Sequence, residues 1–382
     1  MEFINDFLNR KKEDGSLRFL RAAQRRGNGK IVYEDKEYWD LSSNDYLGLS
    51  HAYDLKSASA QAIEQWGTGS SASRLLSGSL ELHHILEEKT AEFKEKEAAL
   101  VFNSGFQANL GLIPALCQKG DIIFSDKLNH ASIIDGIRLS EADFARFAHN
   151  DINDLRRLLD AKRVKYNNAW IITETVFSMD GDICPLKEII GLKNEYNCKL
   201  IVDEAHATGI FGNCGGGFVQ ELNAACDVEI IMGTFSKALG SFGAYIAADK
   251  QVADLLVNAS RSFIFSTALP PSVIAANIAA IEYIQQRPEN GRALLAKAQY
   301  LRSELITLGF DVRGNSQIVP VIIGDNHKTI AFADKLKEKG YWVMPVREPT
   351  VPRGTARLRL TVTHDHTYEM IKELVKHFSV FL

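Results

Sequence analysis

The sequence predicts an α/β protein in which a large, mainly parallel-sheet domain precedes a smaller α+β C-terminal domain. Between residues 98 and 248, short apolar runs rich in β-branched residues alternate with stretches of helical periodicity. Such runs are typical of strands buried on both faces of a parallel sheet. Beyond residue 310, further strand-like runs lead into an amphipathic helix, which is the pattern of a small mixed domain.

The elements follow in chain order. The first ~45 residues predict an arm made of a charged helix, a turn near Gly27 and a short hairpin. The central sheet is expected to use the runs Ala98–Phe102, Ile122–Ser125, Ala169–Thr173, Leu200–Val202, Glu229–Met232 and Gly243–Ala247. The C-terminal strands are expected at Ile318–Ile323, Tyr341–Met344 and Leu358–Val362.

Sequence signals for helices indicate the remaining elements and the domain boundaries. Pro270 and Pro271 begin a long helix, since proline suits a helix start. Two later apolar stripes predict helices, one through Leu294, Ala298, Leu301 and Leu305, the other through Ile371, Leu374, Val375 and Phe378. We therefore expect an arm over residues 1–48, a large domain over 49–285 and a small domain over 286–382.

Composition excludes several classes of function. A formal net charge of −4 offers no basic face for nucleic acid. The five cysteines are an odd number without a CxxC pair, so we expect reduced thiols in the cytoplasm and no zinc site. No apolar run approaches the ~20 residues that span a bilayer, so no membrane partner is expected.

Polar residues follow two of the predicted strands. Asp203-Glu204-Ala205-His206 comes directly after Leu200–Val202, at the strand end where open α/β sheets bind ligands. The same four letters occur in helicases, but a nucleotide hydrolase would also need a GxxxxGK[ST] loop, which the sequence lacks. Asp203 is also suited simply to cap the helix that follows it.

A lysine occupies the equivalent place one α/β unit later. Lys237 ends the segment Thr234-Phe235-Ser236-Lys237, after the strand that ends at Met232 and before a glycine-rich stretch. A lone lysine after a strand is usually a surface charge. Its position 34 residues after Asp203 favours a functional pair.

Pyridoxal 5'-phosphate needs four groups that this chain offers together. It needs a lysine for an imine and a carboxylate that keeps the pyridine nitrogen protonated, for which Lys237 and Asp203 qualify. It needs phosphate donors at a helix start, as in Asn103-Ser104-Gly105-Phe106, together with the Thr234 hydroxyl. It also needs a flat group against its ring, for which His130 is the candidate.

These residues belong to motifs that resemble the α-oxoamine synthases nearly end to end. That family consists of pyridoxal-phosphate enzymes of fold type I, which condense an amino acid with an acyl-CoA thioester and release carbon dioxide. The resemblance is carried by Asn44-Asp45-Tyr46-Leu47-Gly48-Leu49, Ser73-Arg74-Leu75, Val176-Phe177-Ser178-Met179-Asp180-Gly181-Asp182, Asp203-Glu204-Ala205-His206 and Thr234-Phe235-Ser236-Lys237. Glu204 stands where the family commonly has a second aspartate.

The resemblance implies the role of each cofactor residue. Lys237 forms the Schiff base and Asp203 pairs with the pyridinium, while His130 stacks on the ring. The phenolic oxygen and the phosphate are then contacted by His206, Ser178, Gly105, Phe106 and Thr234. Ser266 and Thr267 reach the phosphate from a second subunit, which implies a homodimer with a shared active site.

The resemblance also implies the substrate residues. Arg359 holds the amino-acid carboxylate, a task that suits a guanidinium fork, whereas its neighbour Arg357 is expected to be structural. Thr350, Asn44 and Arg18 are implied to contact substrate.

Two stretches, Leu41–Tyr46 and Thr350–Arg359, resemble most the family members of biotin biosynthesis. This implies that L-alanine is joined to pimeloyl-CoA or a pimeloyl carrier protein. In that mechanism Lys237 removes the α-proton, and His130 either binds the thioester oxygen or assists decarboxylation. Sibling condensations that use serine or glycine remain open, as does a binding protein that kept the fold without the activity.

Overall fold

The computed structural model describes residues 2–379, which form two compact units. One unit comprises the described residues up to Gly48, Ser178–Asp182 and those from Ala293 onward; the other comprises Leu49–Phe177 and Ile183–Arg292. We call them the Arg359 unit and the Lys237 unit, after a residue that each contains. The division into an arm, a large domain and a small domain stays a prediction.

The elements are numbered in chain order. The helices are α1 Glu2–Glu13, α2 Tyr53–Trp66, α3 Glu81–Phe93, α4 Gly105–Leu116, α5 Ala131–Leu139, α6 Ile152–Lys162, α7 Leu186–Glu195, α8 Phe218–Glu221, α9 Lys250–Ala259, α10 Arg261–Ile264, α11 Pro271–Gln286, α12 Glu289–Thr307, α13 Asn326–Glu338 and α14 Tyr368–Phe378. The strands are β1 Arg25–Gly27, β2 Lys30–Tyr33, β3 Lys36–Asp40, β4 Ala98–Phe102, β5 Ile122–Asp126, β6 Asp143–Phe147, β7 Ala169–Glu174, β8 Lys199–Asp203, β9 Ile230–Thr234, β10 Ala244–Ala248, β11 Ile318–Gly324, β12 Tyr341–Trp342, β13 Pro345–Val346 and β14 Ala356–Thr361.

The Lys237 unit is built on a seven-stranded sheet of order β4-β10-β9-β8-β7-β5-β6. Strands β9, β8, β7, β5 and β6 are parallel, and every residue of β5, β7 and β9 is buried. Helices cover both faces, and two separate apolar clusters pack there. The predicted mainly parallel sheet is confirmed.

Two features of this sheet differ from the sequence prediction. Strand β10 runs antiparallel to both of its neighbours, β4 and β9. An apolar run shows that a strand is buried but carries no information about its direction. Strand β6 was not predicted, because it is an edge strand whose Asp143, Phe144 and Arg146 are exposed, so it lacks the continuous apolar run of its neighbours.

The Arg359 unit contains two small sheets. The N-terminal hairpin of β2 and β3 is extended by β12, which pairs in parallel with β3, so the arm finds its partner in the C-terminal part of the chain. Strand β14 pairs with β11 and β13. The predicted run Tyr341–Met344 is divided, since only Tyr341–Trp342 forms β12 and the chain then joins β14 through Pro345–Val346.

The predicted helix stripes are buried in this unit. Leu294, Ala298, Leu301 and Leu305 of α12 are fully buried, and so are Ile371, Leu374 and Phe378 of α14. Over the described residues, none of the helices has the length and apolar character needed to cross a membrane.

Candidate active site

Two acidic side chains lie side by side at the carboxyl edge of the large sheet. Asp203 ends β8 and is aligned with Glu174, the last residue of β7. Both are buried, with exposed fractions of 5% and 3%. Burial and the Asp203 charge raise the pKa of Glu174 well above its ordinary value.

Lys237 lies on the loop that joins β9 to β10. This loop is closed by the Phe235 amide, which donates to the Gly243 carbonyl at 3.0 Å, and by the Thr234 hydroxyl, which donates to the same oxygen at 2.8 Å. Lys237 is half-buried, and its Nζ lies 2.8 Å from Nε2 of His206. The loop therefore brings the predicted lysine to the predicted histidine, which lies three residues after Asp203.

The start of α4 has the features of an anion site. Ser104 caps the helix through its hydroxyl, which accepts from the Gln107 amide. The amides of the first helical turn have no intrahelical acceptor and lie at the positive end of the helix dipole. A Cβ at Gly105 would meet nothing in the described chain nearer than Met232 Cε at 3.7 Å. The glycine therefore leaves this helix start open to a ligand, which fits a phosphate.

His130 is the N-cap residue of α5 and an exposed member of the site. Its backbone amide donates to Glu174 Oε1 at 2.6 Å, and its ring packs edge-on against Phe106 with the centroids 6.3 Å apart. Desolvation by the atoms packed around its ring lowers the pKa of His130, outweighing the opposite effect of Asp203. His130 is therefore expected to be neutral at pH 7.

Ser266 and Thr267 lie between α10 and α11. The Ser266 hydroxyl accepts a hydrogen bond from Gln107 of α4, and the Thr267 carbonyl accepts one from Asn103 at 2.8 Å. Thr267 is exposed. Both residues thus contact the segment that begins the candidate phosphate helix.

Within the Arg359 unit, the predicted carboxylate-binding arginine is held on three sides. Nε of Arg359 donates to the Ser178 carbonyl at 2.6 Å, and its terminal nitrogens donate to Thr361 Oγ1 at 2.9 Å and Asn44 Oδ1 at 3.2 Å. Arg359 therefore contacts two other residues that the resemblance assigns to the site, Ser178 and Asn44.

The neighbouring arginine on β14 is engaged differently. Arg357 is 1% exposed and donates to Asp180 Oδ1 at 2.8 Å and to the Met179 carbonyl at 3.0 Å. These bonds tie β14 to the segment Ser178–Asp182, in keeping with the structural role expected for it.

Arg18 and Thr350, which the resemblance implies to contact substrate, contact each other. The Arg18 guanidinium donates to Thr350 Oγ1 at 2.6 Å across 332 positions of sequence. Both residues are exposed. Their roles toward substrate, like those of the cofactor residues, stay predictions.

Three residues beside this site were missed from the sequence, namely Glu174, Asn109 and Ser132. Glu174 could have been found, since it directly follows the predicted strand Ala169–Thr173, as Asp203 follows Leu200–Val202. Asn109 follows Gly105 by one helical turn and donates to Asp203 Oδ2 at 3.2 Å. Ser132 accepts from the same amide at 2.9 Å. No local sequence signal marks these two contacts.

Comparisons with known proteins agree with this geometry. The sequence profile of the family Aminotransferase class I and II matches residues 36–378. An 8-amino-7-oxononanoate synthase of Geobacter sulfurreducens is 48% identical over 366 residues, covering 94% of this chain and 93% of the relative. One of Treponema denticola is 45% identical over 378 residues, covering 98% and 95%.

The fold is also that of a solved enzyme. The structure of a serine palmitoyltransferase from S. paucimobilis with a bound PLP–myriocin aldimine superimposes with a TM-score of 0.93 at 29% identity, covering 99% of this chain and 96% of that one. The fold-type-I architecture predicted from the sequence is confirmed. From the matched profile and the near full-length relatives, it follows that the chain belongs to the aminotransferase class I and II family, among the 8-amino-7-oxononanoate synthases.

Proposed function

We propose that this chain catalyses the condensation of L-alanine with a pimeloyl thioester to give 8-amino-7-oxononanoate, a step of biotin biosynthesis. The observation that carries this proposal is its 48% identity to a synthase of that name over 94% of the chain. The site supports it, since a lysine, a buried carboxylate and an open helix start occur together in the Lys237 unit.

The enzyme uses pyridoxal 5'-phosphate, which supplies an aldehyde for amines and a ring that withdraws electrons from the bound amino acid. The donor set fits this group. Lys237 offers the amine and Asp203 a buried carboxylate for the pyridine nitrogen. The first turn of α4, at Gly105 and Phe106, offers donors for phosphate. The resemblance adds Thr234, whose hydroxyl would have to turn from the Gly243 carbonyl to donate there.

The remaining cofactor contacts are proposals from the resemblance. His206 and Ser178 hydrogen-bond the phenolic oxygen, and His130 stacks on the ring. Ser266 and Thr267 contact the phosphate of a second copy of the chain, so that the working enzyme is a homodimer. We also propose a cytoplasmic location, in keeping with five cysteines that include no CxxC pair.

In the reaction, Arg359 binds the alanine carboxylate through its guanidinium fork. The three hydrogen bonds that hold Arg359 lock its rotamer, which lowers the entropy lost when a carboxylate binds. Arg18 and Thr350, already joined to each other, contact the substrate as well.

Lys237 Nζ takes the proton from the α-carbon of alanine and later returns one. A bond forms between that carbon and the acyl carbonyl carbon, the thiol departs, and the alanine carboxylate leaves as carbon dioxide. His130 assists by donating a hydrogen bond to the acyl oxygen or to the departing carboxylate.

Serine palmitoyltransferase is the second candidate, because its structure superimposes with a TM-score of 0.93. Its identity of 29% is well below the 48% of the synthase relative, so the fold likeness does not favour its substrates. The sibling enzymes 2-amino-3-ketobutyrate CoA ligase and 5-aminolevulinate synthase, which use glycine, are covered by the same test.

The test is a titration of the cofactor-loaded protein, followed by its visible absorbance, with L-alanine, L-serine and glycine in parallel. Pimeloyl-CoA is then added, and thiol release and the mass of the product are recorded. We expect a spectral response to L-alanine, followed by thiol release only when both substrates are present. A strong response to serine or glycine with none to alanine would assign the chain to a sibling activity.

Lys237→Ala is the control for the cofactor itself. This variant should lose the absorbance band of lysine-bound cofactor, and thiol release should fall by at least about a thousandfold. An unchanged band in the variant would refute the assignment of Lys237, whichever amino acid is used.

A further inference from the structure

A row of hydrogen bonds joins the two proposed ring contacts of the cofactor, Asp203 and His130. Asn109 Nδ2 lies 3.2 Å from Asp203 Oδ2 and 2.9 Å from Ser132 Oγ, and Ser132 Oγ lies 2.8 Å from His130 Nδ1. Asn109 and Ser132 are each 1% exposed. The row lies within the Lys237 unit and links β8, α4 and α5.

The donors in this row can be assigned from one end. An ionised carboxylate only accepts, so Asn109 must present its amide nitrogen to Asp203. The second hydrogen of that nitrogen then goes to Ser132 Oγ. Because Ser132 Oγ accepts there, its own proton is free to be donated to His130 Nδ1.

A second donor points at the same ring nitrogen. The Ser132 backbone amide, in the first turn of α5, donates to His130 Nδ1 at 3.3 Å. A proton on Nδ1 would face this N–H, so Nδ1 must be an acceptor. The positive end of the α5 dipole adds to this, since it disfavours a charged imidazole at the N-cap.

We propose that Asn109 and Ser132 are positioning residues that hold His130 as the neutral imidazole with its proton on Nε2. The inference rests on the proposed function for its meaning, because Nε2–H is then the donor offered to substrate. The two roles left open for His130, a hydrogen bond to the acyl oxygen or to the departing carboxylate, both require this donor.

The charged groups that act on the His130 ring are Asp203 and Asp135, which favour its protonated form, and Lys237, which opposes it. The effect of a substitution in the row is therefore measured as the protonation of the two ring nitrogens of His130. The nitrogen-15 shifts of the histidine ring distinguish a protonated from an unprotonated nitrogen at each position.

Asn109→Asp is the variant that tests the row, because it keeps the shape and cannot donate to both neighbours. The Ser132 hydroxyl would then turn to the new carboxyl, leaving Nδ1 without its stronger donor. Full-length protein labelled with nitrogen-15 histidine is compared with and without pyridoxal phosphate, and His130→Asn identifies the His130 signals.

In the unsubstituted protein we expect an unprotonated Nδ1 and a protonated Nε2 at pH 7.5. In Asn109→Asp the two shifts should converge as Nδ1 gains protons. Asn277→Asp is the matched control, since Asn277 is a buried amide of the same unit that donates to the Phe242 carbonyl. It should lower the unfolding temperature and leave the His130 shifts unchanged.

Kinetics give a second readout. Ser132→Ala should lower kcat about tenfold with little change in the KM for L-alanine, and Ser132→Thr, which keeps the hydroxyl, should restore most of it. A protonated Nδ1 in the unsubstituted protein, or His130 shifts that Asn109→Asp leaves unchanged, would overturn the inference. Failure to bind pyridoxal phosphate would instead refute the proposed function, and the tautomer would still be readable.

Discussion

Replacing Lys94 by methionine is expected to destabilise the chain by about 3–5 kcal/mol, because it leaves the Glu204 carboxylate buried without its cation. The two side chains are 1% and 0% exposed. Lys94 Nζ also donates to the Gly216 carbonyl and the Thr208 hydroxyl, and Glu204 Oε1 accepts from the Val219 amide at 2.8 Å.

The charge state of the pair supports this magnitude. Burial alone would lower the pKa of Lys94, but the Glu204 carboxylate and Tyr245 outweigh it and raise that pKa. The lysine is therefore charged at neutral pH. With about 2.1 cal/mol/K of unfolding entropy per residue over 382 residues, a loss of 3–5 kcal/mol lowers the unfolding temperature by roughly 4–6 °C.

Thermal unfolding at fixed protein concentration measures this shift. Lys89→Met is the matched control, because Lys89 pairs with Glu282 at 2.7 Å with side chains 37% and 47% exposed, and should shift the midpoint by less than about 1 °C. Adding Glu204→Gln to Lys94→Met should recover part of the loss. If Lys94→Met behaves like Lys89→Met, or if the double variant loses more than the single one, the reasoning is refuted.

Further predictions concern the substrate arginine, acid stability and one loop glycine. Arg359→Lys should raise the KM for L-alanine at least about tenfold in steady-state assays, whereas Arg357→Lys should lower the unfolding temperature and leave that KM unchanged. Burial lowers the pKa of His366 from 6.5 to about 4. The unfolded chain therefore takes up this proton first, and stability is lost as pH falls from about 6.5 to 4. His366→Gln should flatten that loss in unfolding scans, and a slope equal to that of the unsubstituted protein would contradict this. Gly217 has φ of +116°, and a Cβ there would overlap the carboxylate of the buried ion pair, so Gly217→Ala should destabilise by about 1–3 kcal/mol in the same scans, whereas Gly191→Ala, with nothing within 4 Å, should not.

The large sheet could be predicted because its signal is local. Each buried strand is a continuous apolar run, and β4 was predicted with its observed limits, Ala98–Phe102. Strand direction could not be predicted for β10, since it depends on pairing with β4 and β9, and β4 lies far earlier in the sequence. The arm could be recognised as a hairpin. Its pairing with β12 could not be predicted, because β12 lies some 300 positions away and the sequence of the arm carries no signal for it.

Some residues of the candidate site could likewise be predicted from local sequence signals, whereas others could not. Asp203, His206 and Lys237 are marked by their places after strands and by the family motifs. The contacts of Asn109 and Ser132 are set by how α4 and α5 pack on the sheet, and polar residues inside helices carry no sign of such partners. Likewise, the bond between Arg18 and Thr350 joins residues with no common sequence pattern.

The antiparallel strand β10 has a consequence for the order in which a new chain acquires its site. In the described sheet, β4 is an edge strand and its neighbour is β10. Well over a hundred residues must therefore be synthesised after β4 before it can pair. The helix that begins at Gly105 follows β4, and its position on the sheet depends on that pairing. Chains released before Ala248 should therefore retain no cofactor, although they already contain Asp203 and Lys237. Capture of the cofactor is therefore expected only after β10 has been synthesised and has paired with β4.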